Sequence, residues 1–156
     1  MNEAQLDCAL EVAESVCKQL GRELSTKRQR VLQVLLQSSR PVSAYEITSE
    51  YNKLTTPAIK AMSVYRILEF LTSANLAHKL ESTNKFIACK QDCDNHQHPY
   101  SLFLICDECE QVSEICSTNE FIEQLGCAIG KTKFTPNGHQ LEIIGRCASC
   151  QTSQNS

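Results

Sequence analysis

Apolar residues recur at three- and four-residue steps through Leu6, Ala9, Leu10, Ala13, Val16, Cys17 and Leu20, so an amphipathic helix is expected over residues 4–20. Gly21 supplies its stop signal. Val31, Leu32, Leu35 and Leu36 mark a second helix, for which Ser25 or Thr26 is the available cap and Lys27, Arg28 and Arg30 fill the first turns. Pro41 breaks the chain, and Ser43-Ala44-Tyr45-Glu46 then sets a hydroxyl three residues before a carboxylate. That is a capping-box pattern, and it starts a third helix near residue 44. After Pro57, the spacing of Met62, Tyr65, Leu68 and Leu71 or Phe70 predicts a fourth helix over about residues 58–73. Ala77–Glu81 and Lys85–Cys89 are β-like runs joined by the polar Ser82-Thr83-Asn84, which reads as a hairpin.

Short helices followed by a hairpin describe a winged helix-turn-helix, in which the helix before the wing enters the major groove of DNA. Ser63, Tyr65 and Arg66 then lie on or near the groove-facing side, and Tyr45 begins the preceding helix. Arg66 can read guanine or grip a phosphate. A surface salt bridge from Arg66 to Glu69 or Glu46 is the competing reading, and the residues alone leave both open.

The pattern changes in the second half. Asp92, Asp94, Asn95, His96, His98 and Pro99 form a polar loop, after which Ser101–Ile105 reads as a buried strand. Over Val112–Cys116, alternation puts Val112, Glu114 and Cys116 on one face and Ser113 and Ile115 on the other. Ser117 or Thr118 caps a helix carrying Phe121, Ile122, Leu125 and Ile129, and Leu141–Ile144 forms a last strand. Cys17 and Cys127 read as packing residues, with Cys8 off the apolar face. The tail from about 151 to 156 is polar and is expected to lack order.

Charge sharpens this division. The net charge of −3 does not by itself suggest nucleic acid, but residues 18–79 hold ten Lys/Arg against four acids, whereas residues 86–156 hold four against nine. Eight of the ten cysteines fall at position 89 or later. Two domains are therefore expected, 1–85 and 86–156, the first basic enough for phosphate contact. No basic leader and no apolar run of membrane-spanning length is visible, so a cytoplasmic protein without a membrane partner is expected. Ten cysteines in a reducing compartment argue for metal or thiol chemistry rather than a disulfide framework.

The most specific motif is a pair of pairs. Cys106-Asp107-Glu108-Cys109 and Cys147-Ala148-Ser149-Cys150 are Cys-x-x-Cys knuckles separated by 37 residues, with Gly145 leading into the second. Each tight turn aims two sulfurs at one point, and two turns supply the closed four-thiolate set that structural zinc prefers. Redox pairs or disulfides are the competing reading, disfavoured by the expected compartment.

At this point the chain resembles a known family. Ser63-Val64-Tyr65-Arg66-Ile67-Leu68-Glu69-Phe70-Leu71 is similar to the Thr/Ser-Val-Tyr-Arg-x-Leu-x-x-Leu recognition helix of the ferric uptake regulator family. Thr26-Lys27-Arg28-Gln29-Arg30-Val31-Leu32 resembles that family's Thr-x-x-Arg-x-x-Val-Leu helix in its Arg28-x-x-Val31-Leu32 part, and Pro41–Ile47 its next helix entry. Together with the knuckles the resemblance covers roughly residues 20–150. His78-Lys79-Leu80-Glu81-Ser82-Thr83-Asn84 followed by Cys89 is most similar to the zinc uptake regulator branch.

The resemblance implies an α+β protein, a winged helix-turn-helix followed by a small α/β dimerisation domain with a structural four-cysteine zinc site. It also implies a regulatory zinc site at His78, Cys89, Glu114 and one histidine of the 96–98 pair, with His98 preferred as nearer the following strand. His96 and His139 are alternative ligands: His139 fits an additional site of other branches, with a histidine of that loop and an acid near Glu120, and Cys93 is a candidate replacement for His96. A thiolate with imidazoles and a carboxylate suits zinc better than an oxygen- and nitrogen-only set, which suits iron or manganese. The expectation is thus a homodimeric repressor with two or more zincs per chain. Loaded with zinc, it would bind palindromic double-stranded operator DNA and repress zinc-uptake genes, with no small organic ligand. Iron- or peroxide-responsive regulators of the family, and a constitutive zinc-ribbon interaction module, are the alternatives. An enzyme is not expected: His-x-Glu beside Pro-Cys-x-x-Cys is absent, and no open catalytic zinc set is visible.

Overall fold

The computed structural model describes residues 3–89, 101–136 and 140–152. The chain forms two compact units, Met1–Cys89 and Lys90–Ser156. The break comes after Cys89 rather than at residue 85, because the second strand of the hairpin is hydrogen-bonded to the first and belongs with it.

Unit 1 opens with four helices: α1 (Glu3–Gln19), α2 (Thr26–Gln37), α3 (Ala44–Leu54) and α4 (Ala61–Ser73). Gly21 ends the first of them in the left-handed region that glycine enters without strain, at φ 65°. The next helix begins after Ser25, whose carbonyl, not its side chain, accepts from Gln29 N–H at 2.9 Å. The capping box forms as its spacing implies: Glu46 N–H donates to Ser43 Oγ at 3.2 Å, and Ser43 N–H donates to the Glu46 carboxylate at 2.7 Å. These hydrogen bonds hold the Glu46 carboxyl below its ordinary pKa.

Helix α4 starts three residues later than the apolar spacing predicts. The Asn52 side chain accepts from Ile59 N–H at 2.7 Å and donates to Ile59 O at 3.1 Å, so Ile59 is held outside the helix by α3. Val31, Leu35, Ile47, Val64, Leu68 and Leu71 meet in one core. Each such side chain contributes roughly 1.5–3 kcal/mol on burial. At the far end of α4, the Arg28 guanidinium lies 3.6 Å above the Phe70 ring, and Arg22 donates to Ser73 Oγ at 2.7 Å. These contacts tie the α1–α2 link and the first turn of α2 to the C-terminal end of α4, where cations also suit the helix dipole.

The hairpin follows as β1 (Ala77–Leu80) and β2 (Lys85–Ala88), antiparallel, with Ala77 opposite Ala88 and His78 opposite Ile87. Asn84 takes the left-handed turn position at φ 52°. Val42 bridges to Phe86, which fastens the wing beside the start of α3.

Unit 2 contains β3 (Ser101–Cys106), β4 (Val112–Cys116), α5 (Asn119–Gly130), β5 (Gln140–Gly145) and α6 (Ala148–Thr152). The sheet order is β4-β3-β5, with β3–β4 antiparallel and β3–β5 parallel, so α5 lies in the crossover leading to the parallel strand. Thr118 caps α5 by accepting from Phe121 N–H at 3.3 Å. Ile122, Leu125 and Ile129 are half-buried on it, but Cys127 is exposed, which corrects its reading as a packing residue. Gln151 and Thr152 are helical rather than without order. Gln151 N–H donates to Cys147 O at 3.0 Å, and the Thr152 hydroxyl donates to Ser149 O at 3.0 Å. Among the described residues no helix is long and apolar enough to cross a membrane.

Candidate functional site

The end of β3 and the end of β5 run side by side, with Cys106 opposite Gly145. The parallel register therefore delivers both knuckles to the same end of the sheet. The Sγ atoms of Cys106, Cys109, Cys147 and Cys150 all lie within 4.8 Å of one another, and those of Cys109 and Cys147 are 3.7 Å apart. A tetrahedral zinc ion ~2.3 Å from each sulfur sets sulfur–sulfur distances at about 3.8 Å. The four thiols are free and have the spacing of a closed metal site.

The backbone prepares this arrangement. Cys147 N–H donates to Cys106 Sγ at 3.4 Å, Asp107 N–H to Gly145 O at 3.0 Å, and Glu110 N–H to Cys106 O at 3.0 Å. Backbone N–H groups of Cys109 and Cys147 draw the Cys106 thiol down to about 6. For Cys109 the Gln111 N–H acts in the same direction, but the neighbouring sulfurs and burial outweigh it and hold the thiol above its usual value. Cys150 is pushed up by the sulfurs of Cys147 and Cys109. The Cys106 thiolate forms readily while Cys109 and Cys150 resist a second negative charge, a conflict that a divalent cation among them removes. Glu108 and Arg146, one inside the first knuckle and one just before the second, join in an ion pair at 3.0 Å. Sequence spacing did not reveal that pair; opposite charges beside the two knuckles were its only signal.

In unit 1, the hairpin register brings together two further metal-competent residues. Cys89 N–H continues the ladder by donating to Leu76 O at 3.0 Å, so Cys89 lies diagonal to His78 on the same face. A ring nitrogen of His78 and Cys89 Sγ lie within 4.8 Å of one another. A one-residue slip of the hairpin would send one of the pair to the other face. In unit 2, Glu114 is half-buried on β4 opposite the fully buried Phe103, with exposed Ser113 and Ile115 on either side. His96, His98, His139 and Cys93 lie outside the described residues.

The outward side of α4 carries the candidate nucleic-acid contacts. Ser63 and Arg66 are exposed, and Tyr65 is half-buried. Tyr45, 69% exposed, stands edge-on to Tyr65 with ring centroids 6.4 Å apart, which joins the start of α3 to the first turns of α4. Arg66 makes no salt bridge among the described residues, and Glu46 pairs instead with Arg40 at 3.7 Å. The guanidinium that competed between a surface ion pair and a ligand is therefore left presented to solvent. Met62, which the apolar spacing placed in the buried stripe, is 67% exposed on this outward side.

Comparison with known proteins extends over most of the chain. The sequence profile of the ferric uptake regulator family matches residues 19–144. The zinc uptake regulation protein of Escherichia coli (strain K12) is 32% identical over 140 residues, which is 88% of this chain and 78% of that protein. A solved zinc uptake regulator complexed with zinc and DNA matches with a TM-score of 0.85 at 29% identity, over 97% of this chain and 98% of that one. The crystal structure of holo XcZur matches with a TM-score of 0.77 at 33% identity, over 92% and 96% of the two chains. A helical unit with a wing, an α/β unit with a four-cysteine cluster, and these matches lead to one conclusion. The chain belongs to the ferric uptake regulator family and is a metal-responsive, DNA-binding transcriptional regulator, not an enzyme.

Proposed function

We propose that the sensed metal is zinc and that the zinc-loaded homodimer represses zinc-uptake genes by binding a palindromic operator. The observation that carries this reading is the His78–Cys89 pair on one face of the wing, within 4.8 Å. An imidazole beside a thiolate is a borderline-soft donor set that favours zinc over iron or manganese. Two of the similar proteins described above are zinc uptake regulators, one solved with zinc and DNA.

In this reading Glu114 and His98 complete the regulatory site, with His96 and His139 as alternative ligands, and Cys106, Cys109, Cys147 and Cys150 hold a separate structural zinc. The chain thus takes two or more zincs. Tyr45, Ser63, Tyr65 and Arg66 contact the operator. Self-association through unit 2 is supported by its apolar exposure: Ile143 is 54%, Ile144 59% and Phe134 66% exposed, and among the described residues β5 is an edge of the sheet. A two-fold dimer presents two copies of α4 to a two-fold site.

His78 and Cys89 belong to the DNA-binding unit, and Glu114 belongs to the other. A metal that took ligands from both would tether the units and restrict their relative orientation. Raising a DNA-competent arrangement from about 1% to 99% of the population takes a differential affinity of roughly 5.5 kcal/mol. Structural zinc sites are worth on the order of 10–16 kcal/mol, so a fraction of a comparable binding free energy suffices. Operator DNA must then tighten zinc binding by the same factor. The test is an operator-binding titration at buffered free zinc, repeated with iron(II) and manganese(II). Binding that rises at the lowest free concentration with zinc is expected; binding that follows iron or manganese instead would transfer the assignment to another branch.

A further inference from the structure

Helix α4 is amphipathic, with Val64, Ile67, Leu68 and Leu71 buried and Ser63, Arg66 and Glu69 exposed. Met62 does not belong to the buried group. It precedes Leu71 by nine residues, about two and a half turns at ~3.6 residues per turn, and so points away from the core on the opposite side. Its neighbours on that side are Tyr65 and Arg66, three and four residues on. It sits in the first turn, the part of a recognition helix that meets base edges. An apolar, unbranched side chain 67% exposed among polar residues at that place has a natural apolar counterpart in the groove, the thymine C5-methyl group. The flexible thioether can settle against it without demanding one rotamer.

We propose that Met62 is a specificity-determining residue that packs against a thymine methyl group in the major groove. The inference rests on α4 entering that groove. It adds an apolar reader to the hydrogen-bonding reach of Arg66, and it selects thymine over cytosine at a position where neither a donor nor a charge would be needed.

The test begins by selecting duplexes from a randomised pool with the zinc-loaded full chain. Each thymine of the selected duplex is then replaced singly by deoxyuridine, which keeps base pairing and removes only the methyl group. Wild-type binding should weaken about fourfold at one thymine or its symmetry mate, equivalent to ~0.8 kcal/mol for one buried carbon. Met62→Gln, similar in length and already at a solvent-exposed position, should bind thymine and uracil there alike while keeping the wild-type response at every other position. A fourfold methyl effect that survives in Met62→Gln, or a wild type indifferent to every methyl group, overturns the assignment of Met62. A pool that yields no duplex at all overturns the groove-binding reading together with it, so the two failures are told apart.

Discussion

The four-cysteine cluster of unit 2 and the His78–Cys89 pair of unit 1 differ in how complete their donor sets are. The cluster is supplied by two knuckles at one end of one sheet, and its four sulfurs already lie within 4.8 Å of one another. Its loops are fixed by backbone hydrogen bonds and by the Glu108–Arg146 ion pair. Such a site holds a metal as part of the fold. The wing offers two donors from a single hairpin, and a zinc site wants more. On the proposed reading, further ligands come from outside the wing, and that recruitment would make binding responsive to conformation. In the function proposed above, the difference separates a metal that builds a scaffold from a metal that reports its own concentration.

Several changes press on this difference. The largest effect is expected from Cys106→Ser, which opens a closed site worth on the order of 10–16 kcal/mol. Unit 2 should lose one zinc per chain together with its cooperative unfolding, as read by metal analysis and calorimetry; full zinc content with an unchanged transition would deny the cluster its scaffold role. Arg66→Ala should be intermediate. Losing a base or phosphate contact of ~1–3 kcal/mol weakens operator binding by roughly 5- to 150-fold, while zinc stoichiometry stays at the wild-type value. A parallel fall in zinc content would mean that Arg66 acts through the metal sites. The smallest effect belongs to Arg146→Ala. Its ion pair with Glu108 is partly exposed, so the four-cysteine site should lose ~0–1 kcal/mol of zinc affinity, at most about fivefold. A larger loss in competition with a chelator would show that the ion pair, not the backbone, sets the knuckles.

Much of this architecture was legible in the residues where one interaction lies close along the chain. Ser43 and Glu46 are three apart and cap α3 as their spacing implies. Two-residue spacers within each knuckle aim paired sulfurs, and alternation along β4 separates Glu114 from Ser113 and Ile115. What the pattern missed depends on distant partners. The start of α4 shifts because Asn52 of α3 holds Ile59. Met62 satisfies the helical spacing of an apolar stripe and yet faces outward, since spacing counts apolar residues without knowing which side a core occupies. Cys127 failed for the same reason. The parallel pairing of β3 with β5, which brings the knuckles together, follows from a crossover that no local pattern encodes. His96, His98 and His139 lie outside the described residues, so that part of the expected ligand set is carried by the resemblance alone.

The central claim is that regulation resides at the wing pair and not at the four-cysteine cluster. Operator binding by Cys89→Ser, followed across the free-zinc range in which the wild type switches, tests it most directly. The expected result is a folded dimer that keeps the zinc of its four-cysteine site and shows no zinc-dependent rise in operator binding. A Cys89→Ser protein that switches at the wild-type zinc concentration would contradict it.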